Sequence, residues 1–368
     1  MLLCETFIGY NSNVEPSLYG IVNSNRDFTK EESWGKNQFN SSFPAALACY
    51  MYSKQLNLVY LTLGSDLNVK HSFISVDQLF GLKPDSPDLY FSFESDYPPF
   101  RQFVTGTLPR IDLVTMNSSS SASLKMIEIK LTALPDNTTC KLTHEDFSCE
   151  IVVRPDSIIY LALSIVACYK DDISVLHNLM SDSCGKILEW NDFDSLKGYL
   201  SEMVASIDKA LLRVLTKQTA LVMQPVWKTN GKSIQLAENC LDIFVWSNFA
   251  FTRLFVDQAK FDLQRDIFKV SRHMRTVIWL ARMLYDFSHH GKINYANIID
   301  EVSLNTKNDK AFAVSGIATH AYLASAFLTK PRITKKEIKN IILGDGQNYL
   351  SPERRFDAII LNTPGLFD

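Results

Sequence analysis

Three residues in one short stretch have the types and spacing to do chemistry together. Asp112 lies in Gly106-Thr107-Leu108-Pro109-Arg110-Ile111-Asp112-Leu113-Val114-Thr115, and Glu128 and Lys130 lie in Leu124-Lys125-Met126-Ile127-Glu128-Ile129-Lys130-Leu131. Each half is rich in β-branched and apolar residues and reads as a strand, and the polar run Asn117 to Ser121 reads as the hairpin connection. Side chains alternate along a strand, so Glu128 and Lys130 point to one face and Ile129 to the other. If Asp112 projects to the same face from the neighbouring strand, two carboxylates and one ammonium converge. Hard oxygen donors suit Mg²⁺, which one or two carboxylates bind together with waters and substrate phosphate oxygens. A lysine beside such a site orients the attacking water or stabilises charge on a phosphate during hydrolysis. On an exposed strand face the same residues would be solvated charges. Two details favour the first reading: Pro109 tightens the approach to Asp112, and charge is rare inside an apolar strand unless paired or metal-bound.

The residues Pro109-Arg110-Ile111-Asp112 followed by Glu128-Ile129-Lys130 resemble the Pro-Asp…(Asp/Glu)-x-Lys signature of the PD-(D/E)xK nuclease superfamily, with Arg110 and Ile111 inserted between proline and aspartate. More narrowly, the chain resembles the HindVP-type type II restriction endonucleases. The likeness runs through Trp34 to Asn40 with Phe43-Pro44, the Asp112 to Asp136 region, Cys149 to Pro155, Gln224 to Lys228, Phe244 to Ser247, and Leu350 to Asp357. What the resemblance implies is Mg²⁺-dependent cleavage of double-stranded DNA at a short palindrome of the GRCGYC kind, by a homodimer. Asp112 and Glu128, with the carbonyl of Ile129, would bind the metal, and Lys130 would position or polarise the water. The implied fold is α/β: a restriction-endonuclease-like core, a mixed central sheet flanked by helices, with a helix-rich C-terminal elaboration.

The elements that must position these residues follow in order. Residues 1–30 are polar and turn-rich and read as an N-terminal arm, residues 31–230 as the nuclease core, and 231–368 as a mostly helical region packed on it. A helix is expected over Phe43 to Lys54, with Ser41 or Ser42 as N-cap and Pro44 in its first turn. Strands are expected at Leu58 to Leu63, Val69 to Ser75, Leu89 to Phe93, Ala220 to Lys228 and Leu241 to Val245. Pro155 opens an almost wholly apolar helix to about Tyr169, with Asp156 complementing its dipole. One helical pattern covers Ile187 to Lys217, and another Asp266 to Phe287. A third acid for the site is sought among Glu31, Glu32 and Glu94.

With 368 residues, 46% of them hydrophobic, the chain can bury a substantial core. Its formal net charge of −3 means that any affinity for DNA must come from local positive charge. Lys36, Asn37, Gln38 and Asn40 are candidates for base or phosphate contact, since amides pair with adenine edges and lysine approaches guanine; helix entry explains part of the same cluster. Arg110 is a further candidate for DNA contact; Glu150 and Arg154 flank the entry to the helix at Pro155, where they form an ion pair or Arg154 touches phosphate, the two readings standing equal. On the Asp266 to Phe287 helix, Lys269, Arg272, Arg275 and Arg282 fall on one side, a stripe that reads either as a solvated face or as a DNA-backbone track. Lys310, Lys330, Arg332, Lys335, Lys336, Lys339, Arg354 and Arg355 add basic residues in the last third.

Seven scattered cysteines without a Cys-x-x-Cys pair point to reduced thiols in a cytoplasm rather than to zinc or disulfides, and the resemblance implies that the cytoplasm is prokaryotic. The opening residues lack a signal-peptide pattern, and no apolar run is long enough to span a bilayer. The glycine spacings of nucleotide sites and the Gly-x-Ser-x-Gly elbow are missing, so neither a nucleotide cofactor nor serine-hydrolase chemistry is expected. A structure-specific or repair nuclease with the same acids, a catalytically inactive DNA-binding protein and a protein scaffold are the competing readings.

Overall fold

The computed structural model describes residues 17–18, 21–22, 42–63, 69–130, 151–217, 220–225, 228–230, 233–235, 242–264, 270–304, 312–314, 332–334, 336–337 and 341. Two residue pairs near the N-terminus form a small antiparallel ladder, β1 (Ser17–Leu18) with β2 (Ile21–Val22). The main element is a seven-stranded mixed sheet of β3 (Leu58–Leu63), β4 (Val69–Ile74), β5 (Leu89–Ser95), β6 (Ile111–Asn117), β7 (Ala122–Ile129), β9 (Ala220–Pro225) and β12 (Ile243–Ser247), in the order β4-β3-β12-β9-β7-β6-β5. Three two- or three-residue pairings stand outside it, including β8 (Ile151–Val153) with β13 (Phe312–Val314) and β10 (Lys228–Asn230) with β11 (Ser233–Gln235).

The order follows from the connections. β5, β6 and β7 form an antiparallel meander. The turn between β6 and β7 is held by Asn117, whose Oδ1 accepts from the amides of Ser119 at 3.0 Å and Ser120 at 3.2 Å. β7 and β9 are parallel neighbours, a pairing that requires a crossover rather than a hairpin. That crossover carries α3 (Pro155–Ala167), α4 (Ile173–Cys184), α5 (Phe193–Lys197) and α6 (Leu200–Val214). Central strands buried on both faces read as continuous apolar runs. β12 does so, with all five residues buried and Trp246 fully inaccessible. The sheet thus extends past residue 230, and Trp246, Phe249, Phe251 and Phe255 supply core.

Helices cover the sheet. α1 (Ser42–Ser53) packs with α2 (Val76–Phe80), and α2 touches β7. α7 (Asn248–Leu263) lies against β3, β9 and β12, and α8 (Arg272–His290) packs on α3, α4, α6, α7 and α9 (Tyr295–Glu301). The apolar character expected of α3 is realised: every residue from Ser157 to Val166 is buried. No helix among the described residues is long and apolar enough to cross a membrane.

Several boundaries differ from the sequence reading. The single helix expected over Ile187 to Lys217 is two, because Asp192 caps α5 through the amides of Asp194 and Ser195 and Gly198 ends it. α8 begins at Arg272 rather than Asp266, set by Ser271, whose Oγ accepts from the Met274 amide at 3.1 Å. The first catalytic strand begins at Ile111 and not at Gly106. Gly106 adopts φ +96°, Thr105 donates to the Ile293 carbonyl at 2.9 Å, and Pro109 has no amide hydrogen to give a ladder. Gly64, Ser65 and Asp66, where the sequence signals a turn between two expected strands, lie outside the described residues.

Replacing Trp246 with alanine leaves a cavity where β12 meets α7, and is expected to lower unfolding free energy by about 3–5 kcal/mol. A urea titration with an unchanged midpoint would contradict the central placement of that strand.

Candidate active site

The site is assembled at one end of the β5–β6–β7 meander. The ladder pairs Leu113 with Ile127 and Val114 with Met126, which brings Asp112 and Glu128 across from each other on neighbouring strands. A hydrogen bond locks this register: the Ile129 amide donates to Asp112 Oδ2 at 2.6 Å. Ile129 itself is 7% exposed, so the alternation that buries it turns Glu128 and Lys130 to the opposite face. Beyond the strand end, the Lys130 amide donates to the Met223 carbonyl of β9 at 2.9 Å, which fixes the lysine backbone to the parallel neighbour.

The side chains of Glu128, Lys130 and Ser157 form a closed triangle. Lys130 Nζ pairs with Glu128 Oε1 and donates to Ser157 Oγ at 2.9 Å, and Ser157 Oγ donates to the same Glu128 oxygen at 2.9 Å. A hydroxyl accepts and donates at once, so Ser157 satisfies both charged partners. The ammonium and carboxylate are 11% and 17% exposed, so neither is freely solvated. Ser157 sits in the first turn of α3, buried, and Tyr160 one turn on donates from its hydroxyl to the Pro109 carbonyl at 2.6 Å. The Tyr97 amide donates to that same hydroxyl at 3.3 Å. α3 therefore ties together the approach to β6, the segment after β5 and Lys130.

Sequence reasoning named Asp112, Glu128 and Lys130, which the structure brings together, but did not point to Ser157 and Tyr160 beside them. The available signal was a serine in an otherwise apolar helix: a buried hydroxyl needs a partner.

Of the three candidates for a third acid, Glu31 and Glu32 lie outside the described residues. Glu94 stands between Phe93, paired with Leu113, and Ser95, paired with Ile111, and so faces Asp112 across the β5–β6 ladder. Its φ of +47° is unusual for a non-glycine residue and marks an irregularity in the strand next to the site. Burial raises the Glu94 carboxyl above its ordinary range, repulsion from Glu128 adds to it, and Arg110 and Arg154 oppose it. Burial holds Asp112 well above the usual carboxylate range, and the charge of Glu128 pushes further. Lys130 and the Ile129 amide pull back, while Glu94 repels. Asp156 is raised by partial loss of hydration and then by Glu128, against Arg154 and Lys130. In all three carboxyls burial is the largest cause, and the neighbouring charges add to it or oppose it.

Among the described residues, no group of three or more His, Cys, Asp or Glu side chains is drawn together tightly enough to hold a metal by itself. A hard cation here needs backbone, water or substrate oxygens beside the carboxylates.

The residues expected on DNA are distributed unevenly. Arg110 and Arg154 are exposed and flank the acids. Lys36, Asn37, Gln38, Asn40, Lys269 and Lys310 lie outside the described residues. The basic stripe on α8 is not an exposed track. Arg272 is exposed, but Arg275 is 2% exposed with its guanidinium 4.7 Å from the Trp279 ring centre, and burial lowers its pKa. Arg282 pairs with Asp286 at 3.0 Å and lies over Trp190 at 4.8 Å. Helices surround α8, so its polar side is covered as well as its apolar one, and aromatic stacking takes up the guanidiniums. Arg332 is likewise engaged, making two 2.7 Å hydrogen bonds to the buried carboxylate of Asp242.

Comparison with known proteins gives the family. The HindVP restriction endonuclease family matches residues 34–367. The chain is 45% identical over 354 residues to the type II restriction enzyme HgiDI of Herpetosiphon aurantiacus, covering 96% of this chain and 98% of the relative. It is 42% identical over 355 residues to the probable type II restriction enzyme HindVP of Haemophilus influenzae, covering 96% of each. No solved structure matches. With the match running from Trp34 almost to the last residue and through every strand of the acid cluster, the chain belongs to the HindVP restriction endonuclease family.

Proposed function

We propose that this protein is a type II site-specific deoxyribonuclease that hydrolyses double-stranded DNA with Mg²⁺ at a short palindrome, of the GRCGYC kind that the family resemblance implies. The observation that carries the reading is the meeting of Asp112, Glu128 and Lys130 on one face, in a chain whose relatives are named type II restriction enzymes.

The donor set fits a hard divalent cation. All its ligands are oxygens, and the Asp112 carboxyl, raised by burial and then by Glu128, is the kind of group whose ionised form a nearby cation favours. Asp112 and Glu128 would hold Mg²⁺ with the Ile129 carbonyl, and Glu94 is the third acid we assign. When bound, the metal supplies Lewis-acid polarisation of a phosphate oxygen and acidifies a water. The protein's own share is positional. Glu128 and Ser157 hold the Lys130 ammonium where it can orient the attacking water and offset charge gathering on the phosphorus oxygens. Arg110 and Arg154 place positive charge beside the acids to meet the DNA backbone. In keeping with the resemblance, hydrolysis leaves a 5′-phosphate and a 3′-hydroxyl. A palindromic target calls for a two-fold dimer, since two equivalent cuts need matching symmetry in protein and DNA.

Digestion of a sequenced plasmid with Mg²⁺ is expected to give discrete fragments whose ends share one short sequence. Asp112→Asn and Glu128→Ala should each slow cutting by at least about 100-fold. Preferential cutting of forked or mismatched DNA would replace this reading with a structure-specific nuclease, and full activity of Asp112→Asn would remove that residue from the site.

Ser157→Ala is expected to lower the single-turnover cleavage rate about 10-fold or more, the range for a hydrogen bond to a charged group. DNA affinity should stay unchanged, and Ser157→Thr should restore most of the rate. Equal rates for the alanine variant and the unaltered protein would show that Lys130 needs no support from α3.

A further inference from the structure

A cleft of about 610 Å³ opens beside the acid cluster, lined among others by Phe93, Glu94, Arg101, Gly106, Thr107 and Arg110. Its outer wall is the segment between the turn of 3₁₀ helix at Pro98–Phe103 and β6. That wall is fixed from behind. Ile293 donates to the Phe103 carbonyl at 2.8 Å and accepts from the Thr105 amide, and the Tyr295 hydroxyl donates to the Thr107 carbonyl. At its rim, Gly106 has φ +96°, and nothing lies within 4 Å of where a Cβ would stand, so the backbone is open to close approach.

Two arginines and two acids share this cleft. Glu94 faces Asp112 and belongs to the acid cluster. That leaves Asp96, whose Oδ2 accepts from Arg101 Nε at 2.6 Å. The Arg101 side chain is 64% exposed and the Asp96 side chain 28%. An exposed pair of this kind is weak and easily exchanged. A guanidinium matches a phosphate as well as a carboxylate, through the same paired N–H geometry.

Resting on the DNA-cutting reading, we propose that this cleft carries the sugar-phosphate strand past the acid cluster, and that Asp96 occupies on Arg101 the place that a DNA phosphate takes. On binding, Arg101 gives up the Asp96 carboxylate for phosphate oxygens, while Arg110 meets the same strand nearer the site of cutting. Asp96 thus acts as an internal competitor that weakens binding to any duplex, whatever its sequence.

The test is duplex affinity by fluorescence anisotropy, without divalent metal so that no cutting occurs, using a labelled mixed-sequence duplex of about 30 base pairs between about 50 and 200 mM salt. Arg101→Ala should weaken binding and reduce the slope of log affinity against log salt by about one, and Arg101→Lys should keep the slope. Asp96→Asn should tighten binding by about 2- to 5-fold, the range of an exposed ion pair. In the Arg101→Ala background, the same Asp96→Asn change should do nothing. An unaltered salt slope in Arg101→Ala overturns the proposal. So does equal tightening by Asp96→Asn in both backgrounds, which would make Asp96 a general repulsive charge. If the unaltered protein binds no duplex at low salt, the nuclease reading itself falls and takes the cleft with it. Binding by the unaltered protein, with no effect of these variants, removes only the cleft.

Discussion

Three carboxylates, Glu94, Asp112 and Glu128, stand at facing positions on adjacent strands, and burial raises the carboxyls of Glu94 and Asp112 above their ordinary range. Like charges at such range are held together only if the backbone is rigid enough to prevent their parting. The backbone here is a hydrogen-bonded meander, with the Ile129 amide bound to Asp112 across it. Burial and then Glu128 raise the Asp112 carboxyl, and Lys130 opposes that rise only in part. On the proposed reading, a divalent cation would oppose the remainder. The rest of the molecule holds these carboxylates in place.

Support comes from two directions. In the plane of the sheet, β9 runs parallel to β7 and accepts the Lys130 amide, so the lysine cannot slide relative to the acids. From the crossover, α3 delivers Ser157 to the Glu128–Lys130 pair and Tyr160 to Pro109. α3 is in turn wedged against α6, α7 and α8, with every residue from Ser157 to Val166 buried. A small shift of this helix would move the Lys130 ammonium, and close-packed interiors oppose such shifts. The entry to α3 is pinned by the β8–β13 pairing, which brings in a strand from beyond residue 310.

Much of this was legible in the sequence, for reasons that can be named. Period-two alternation and the Asn117 turn identified the β6–β7 hairpin and placed Asp112, Glu128 and Lys130 together. The apolar run after Pro155 identified α3 and its burial. What was hidden depends on tertiary context. Helical periodicity put Arg275 on a polar face, but that face is covered by neighbouring helices, so a charge pattern on one helix could not reveal whether the guanidinium meets water or Trp279. Ser157 looked like a minor polar interruption because its partners lie 27 and 29 residues away in sequence. Glu94 could not be separated from Glu31 and Glu32 without the register that sets it opposite Asp112.

The central claim is that the crowded carboxylates constitute a divalent-cation site. Isothermal titration of the protein with Mn²⁺, free of DNA, tests it most directly. The account predicts saturable binding that is abolished in Asp112→Asn and weakened by about 10-fold or more in Glu94→Gln, as expected when one charged ligand becomes neutral. Mn²⁺ binding that survives Asp112→Asn at full affinity, or no binding by the unaltered protein, would contradict it.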